Sequence, residues 1–278
     1  MKSAVTRTWY RIALGRPEQS PVLVAAQGEH LGAAISVARR EYRDAYAMAA
    51  EVASGQEIPL GESVGKHPVV ELGTAEHVTA FRWPAGVLPQ LNHEAAIAGA
   101  RPGWIRHDDP QALVIEAQTD AAHLVDLFMG LIERLPSADN LEVRVLDHFE
   151  PGGVTDVWLT SRVNAKKILA FLDDYEHELI DNGHLELSVY VRAEHATLRL
   201  TEHKTVVWIA ETGALEQQIV TWLGELEVPR VDALARIVDV PHFHFRPGAT
   251  RDRKKLGEEL YRQRLRRVAT IPAEEPQR

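Results

Sequence analysis

Four stretches of the chain repeat one local grammar of short strand, polar turn and amphipathic helix: VLVAAQGEHLGAAISVA from residue 22, LVIEAQTDAAHLVDLF from 113, VWLTSRVNAKKILAFL from 157 and VVWIAETGALEQQIVTWL from 206. Strands paired through short turns and followed by helices of this kind confine a chain to sheets with helices laid on one face. Period-two alternation points the same way. In LELSVYVR, Leu185, Leu187, Val189 and Val191 share one face, while Glu186, Ser188, Tyr190 and Arg192 share the other. The expected class is α+β, with mixed or largely antiparallel sheets, ββα-type units and a basic C-terminal helix. The polar face of the sheet is expected to be wet and open to a partner.

Residues 7 to 15 and 21 to 26 read as a strand hairpin, and Leu31, Ile35, Ala38, Tyr42, Ala45, Ala49 and Val52 recur at helical spacing up to Gly55. Further strands are expected at 68 to 72 and 78 to 83. The stretch from 84 to 110 is rich in Pro, Gly and Ala without a sustained period, which suits an interdomain connection. This divides the chain into an N-terminal module (1–104), a larger domain (105–248) and a basic helix with its tail (249–278). Within the larger domain, strands are expected at 112–117, 141–147, 154–160, 185–192, 196–202, 205–211 and 239–245. Helices are expected at 120–135, 164–181, 214–226 and about 229–237. The stretches beginning at 141 and at 185 match over two strands and a helix, with Trp158 opposite Trp208. Both a true duplication and the general likeness of strand-turn-helix units account for that match.

The net charge of −9 hides an asymmetry. Residues 246 to 267 carry nine Arg and Lys against Asp252, Glu258 and Glu259, a net of +6, which leaves −15 for the rest. An acidic body repels nucleic acid over most of its surface, whereas the basic segment suits an acidic protein surface or self-association. Leu256, Leu260 and Leu265 give that segment a thin apolar stripe, enough to dock but not to bury deeply.

Zero cysteines exclude disulfides, thiolate nucleophiles and Cys-based metal sites. No phosphate loop, dinucleotide fingerprint, nucleophile elbow or HExxH occurs, and GESVGK at 61 to 66 lacks the phosphate-loop spacing. No apolar run is long enough to span a bilayer and the N-terminus lacks a secretory h-region, so a cytoplasmic address without a membrane partner is expected. No cofactor is implied.

The candidate metal ligands are His242 and His244, since alternate strand residues point to one side and could share an ion. His148, His195 or His203 could supply a third ligand, with Asp147 or Glu202 as carboxylate. A strand with His242 and His244 outward and Phe243 and Phe245 inward explains the pair without metal. His107, Asp108 and Asp109 in RHDDP fit turn chemistry better than acid-base work. The candidate partner-binding residues are Arg251, Arg253, Lys254, Lys255, Arg262, Arg264, Arg266 and Arg267. Together these features favour a non-enzymatic protein-binding or assembly protein: an adaptor, an inhibitor or immunity protein, or a structural subunit. The alternatives are a metal-assisted hydrolase built on His242 and His244, and a nucleic-acid-associated subunit binding through residues 246 to 267.

Overall fold

The computed structural model describes residues 7–53, 67–75, 81–146, 153–211, 213 and 215–272. The fold is α+β, with antiparallel sheets and helices packed against them. Contacts divide the chain into two compact units, 1–100 with 235–249 and 101–234 with 250–278. Residues 235–249, assigned from sequence to the larger domain, belong instead with the N-terminal unit, and residues 250–278 belong with the second.

In the first unit, β1 (Thr8–Arg16) and β2 (Gln19–Gly28) form the expected hairpin, and α1 (Leu31–Glu41) follows. The helix does not continue to residue 53. It stops at Glu41, Asp44 takes a left-handed φ of 64°, and β3 (Tyr46–Ala53) pairs with β1. With β4 (Val69–Thr74) the order is β3-β1-β2-β4. Leu31, Ala34, Ile35 and Ala38 of α1 are buried in one core with Ile12, Leu14, Val24 and Ala26 of the sheet.

The stretch from 84 to 110, within which the chain passes from the first unit to the second, is structured rather than irregular. It holds β5 (Val87–Pro89), a 3-10 turn at Glu94–Ile97 and β6 (Gly103–His107), with Val87, Leu88, Ile97 and Trp104 buried. The apolar side chains override the Pro and Gly content, because each needs a core to leave water. Of the strand expected at 78–83, residues 76–80 lie outside the described residues, as does GESVGK, and 81–83 are irregular although Phe81 and Trp83 are buried.

The second unit is built on an eight-stranded sheet. Its strands after β6 are β7 (Leu113–Gln118), β8 (Asn140–Val145), β9 (Val154–Leu159), β10 (Leu185–Val191), β11 (Ala196–Leu200), β12 (Val206–Ala210) and, after β13 (His242–His244) of the first unit, β14 (Arg266–Pro272). The order is β14-β9-β8-β10-β11-β12-β7-β6, every neighbouring pair antiparallel. The helices are α2 (Leu124–Arg134), α3 (Ala165–Asp174), α4 (Glu176–Leu179), α5 (Glu216–Glu225) and α6 (Arg253–Arg262). They enclose one core that runs from Trp104 to Leu265 and holds Leu185, Leu187, Val189 and Val191 as the alternation requires. No helix forms at 229–237, where Arg230 bridges to Trp104 and a 3-10 turn appears only at Ile237–Asp239.

The alternate face of this sheet is not the open wet surface expected. Glu116, Gln118, Glu142 and Ser188 are buried. Glu142 accepts hydrogen bonds from Tyr190 (2.8 Å) and Arg144 (2.7 Å), and Glu186 pairs with Arg199 at 3.2 Å. Mutual pairing is what lets charged groups leave water at tolerable cost.

Candidate functional site

The basic segment was expected to be one helix with a thin apolar stripe. It is a helix followed by an edge strand, and the stripe is core. Asp252 caps α6 by accepting a hydrogen bond from the Lys255 backbone N–H (2.9 Å), which satisfies a donor at the helix start. Leu256, Leu260 and Leu265 are 1%, 2% and 1% exposed, so each belongs to the buried core of the sheet. Burial on that scale contributes about 1.5–3 kcal/mol per leucine. After Arg264, with a left-handed φ of 67°, the chain turns and β14 pairs with β9.

Between α6, β9 and β14 lies a groove of about 980 Å³, lined by Asp156, Trp158, Arg253, Lys254, Gly257, Glu258, Tyr261, Arg262, Arg266 and Arg267. Five cations and two carboxylates line it, with two aromatic rings. Asp156 organises its floor. Arg253 donates to it twice (3.1 and 2.8 Å), Thr270 donates once (2.8 Å), and Arg267 lies 3.6 Å away. Burial pushes the Asp156 carboxyl up, but the bonds from Arg253 and Thr270 and the charges of Arg253 and Arg267 outweigh it, and its pKa falls below the ordinary value. Arg266 stacks over the Tyr261 ring at 5.0 Å.

The eight candidate partner-binding residues therefore separate. Lys254, Arg262, Arg266 and Arg267 line the groove, and Arg253 lines it while held by Asp156. Arg251 is turned to Glu178 (2.7 Å), Lys255 pairs with Asp252 (3.2 Å), and Arg264 sits in the turn. Arg262 also bonds Glu259 (3.1 Å), which accepts from the Tyr175 hydroxyl (2.7 Å) and Gln263 (3.0 Å). Sequence reasoning did not find Trp158, Asp156 and Gly257 in this site. A glycine inside a run of strong helix formers was the one available signal, since it costs helix stability and implies a close approach.

His242 and His244 lie on β13, which pairs antiparallel with β5 in the first unit. Phe245 is buried and Phe243 packs partly buried against the same core, as the alternation suggests. The two Nε2 atoms are 3.0 Å apart, and His242 Nδ1 is 2.7 Å from the Val240 carbonyl oxygen. A proton on Nδ1 donating to that carbonyl leaves the Nε2 lone pair directed at His244. Of the other expected ligands, Asp147 and His148 lie outside the described residues, His195 is 3.6 Å from Glu211, and His203 is 3.8 Å from Glu202. In RHDDP, His107 is 2.7 Å from Glu116, and Asp109 accepts from the backbone N–H of Gln111 (2.8 Å) and Ala112 (3.1 Å), which is turn chemistry.

Among the described residues no helix is long and apolar enough to cross a membrane. Comparison with models of protein families, with curated proteins and with solved structures finds no match to this chain.

Proposed function

We propose that this chain is a non-enzymatic protein-binding or assembly protein, acting as an adaptor, an inhibitor or immunity protein, or a structural subunit. Its contact surface is the groove between α6, β9 and β14. The observation that supports this is the combination of five groove-lining cations with Tyr261, Val268 and Ile271, which are 62%, 56% and 45% exposed. Aromatic and arginine side chains beside an apolar surface are the composition that binding hot spots favour. Deleting residues 250–278 would remove three core leucines, so charge reversal is the cleaner test. Arg262→Glu with Arg266→Glu and Arg267→Glu is expected to change the sedimentation and co-purification profiles of the full chain, and high salt to change them the same way. Identical profiles for the variant and the parent would rule the proposal out.

A second proposal rests on the His242–His244 geometry: a divalent metal bound by the pair, serving a metal-assisted hydrolase. Two nitrogens each about 2.05 Å from a tetrahedral ion lie roughly 3.3 Å apart, close to the 3.0 Å observed. The pair supplies two of the ligands such an ion takes, and the Val240 carbonyl orients one ring. Metal analysis of the purified chain and cobalt(II) titration are expected to show binding that His242→Ala with His244→Ala abolishes. No bound metal, with unchanged stability of the double variant, would sink it.

A further inference from the structure

We propose that the partner engages the groove with an extended acidic segment, whose backbone pairs with β14 as an added strand and whose apolar side chains cover Tyr261, Val268 and Ile271. This rests on the docking function proposed above and names its partner chemistry. Four observations carry it. First, β14 ends the sheet order and, among the described residues, pairs only with β9. Along its other side no strand of the described residues lies beside it, and an extended peptide can supply the hydrogen bonds of those backbone groups. Second, all seven residues of β14 are exposed, which leaves room on both faces for the side chains of a neighbouring strand. Third, Tyr261, Val268 and Ile271 are three of the five large apolar residues exposed among those described. Apolar side chains gathered beside an open edge are what a strand-adding partner would cover. Fourth, Lys254, Arg262, Arg266 and Arg267 line the groove next to that edge.

The charges decide between occupants. A sheet edge is kept from indiscriminate pairing by cations, bulges and proline, and β14 has all three: Arg266 and Arg267, a bulge between Arg267 and Ala269, and Pro272. Two copies of this face would bring two sets of Lys254, Arg262, Arg266 and Arg267 together, which disfavours self-pairing. A carboxylate-bearing strand meets the same cations favourably. A polynucleotide would neutralise them too, but it extends beyond a strand of seven residues, about 23 Å long at 3.3 Å per residue, onto a chain whose remaining charge is negative.

The test uses the full chain and four synthetic nonapeptides in calorimetric titrations. One alternates Glu and Val about a central Phe, two have the same sequence N-methylated at alternate residues, one in each register, and the fourth is nonaglutamate. A single-stranded oligothymidylate of nine nucleotides is the fifth ligand. The alternating peptide is expected to bind, with N-methylation weakening it at least about tenfold, as loss of several backbone hydrogen bonds implies. Nonaglutamate and the oligothymidylate are expected to bind more weakly, and Arg266→Glu with Arg267→Glu to abolish the difference. Equal binding of the parent and N-methylated peptides would overturn strand addition and leave acidic-surface docking standing. Tightest binding of the oligothymidylate, or no binding of the alternating peptide, would overturn the proposal as well. Failure of the docking function itself is read separately, from unchanged assembly profiles on charge reversal.

Discussion

Gly257 of α6 lies directly over Trp158 of β9: a Cβ at residue 257 would stand 3.2 Å from the indole Cζ2. That distance is tighter than a normal carbon contact, so the absent side chain is what keeps the indole at the groove floor. Glycine in a helix interior costs about 1 kcal/mol relative to alanine, and here that cost is offset by an open groove. Gly257→Leu is expected to fill the groove and weaken binding of the alternating acidic peptide at least about tenfold, equivalent to about 1.4 kcal/mol. Far-ultraviolet circular dichroism should be retained. Calorimetric titration of the variant checks both the loss and its size.

Leu260 is a core residue of the second unit, although it belongs to the segment with the greatest positive charge. Leu260→Ala is expected to destabilise the protein by about 2–5 kcal/mol, the range for large-to-small changes in a packed core. Urea unfolding measures it. A loss below about 0.5 kcal/mol would mean that α6 is a surface appendage.

His30 caps α1 through Nδ1, which accepts a hydrogen bond from the Ala33 backbone N–H at 3.3 Å. Burial, reinforced by the Arg246 charge, lowers its pKa to about 4 from 6.5. The folded state therefore holds the neutral ring while the unfolded chain takes up a proton below the ordinary histidine pKa of 6.5. Stability from this group is full above pH 6.5 and is lost as pH falls toward 4. His30→Asn is expected to keep the cap and remove this acid sensitivity, and His30→Ala to cost about 1 kcal/mol at pH 7. Thermal unfolding between pH 4 and 7 distinguishes the three proteins.

Lys204 is 1% exposed, and its Nζ donates to the Asn182 carbonyl at 2.7 Å. Burial lowers its pKa to about 7, against the opposing pull of Asp181 and Glu202. The unfolded chain binds this proton up to the ordinary lysine range, so stability from this group rises with pH from about 7 to 10.5. Lys204→Met is expected to flatten that rise, which denaturant unfolding at a series of pH values would show.

The sheet of the second unit was legible because its strands bury one face. In 185–191 every odd residue is a large aliphatic side chain, and no helical period competes. The segment after α1 was not legible, because Ala45, Ala49 and Val52 satisfy a helical spacing while Ala45, Met48, Ala49 and Ala50 are the residues that end up buried. Small side chains fit both periods, and only the pairing of 46–53 with β1 decides between them. Around the groove, the charge count identified the right segment. It overstated the cations available, since Arg251 and Arg253 are matched by Glu178 and Asp156, residues 73 and 97 positions away in the chain. Pairings that distant leave no local trace in sequence.

The path of the chain between its two units constrains the order in which it can fold. Residues 242–244 supply the partner strand for β5, and residues 253–272 supply a helix and an edge strand to the second unit. A nascent chain released only as far as residue 234 therefore carries two incomplete cores, with Val87 and Leu88 awaiting β13 and Trp158 awaiting α6. Domains made early usually close before later ones emerge. Here the same stretch of about forty residues closes both, so the two units reach completion nearly together during synthesis, and a stall shortly before that stretch would leave apolar surface of both exposed at once.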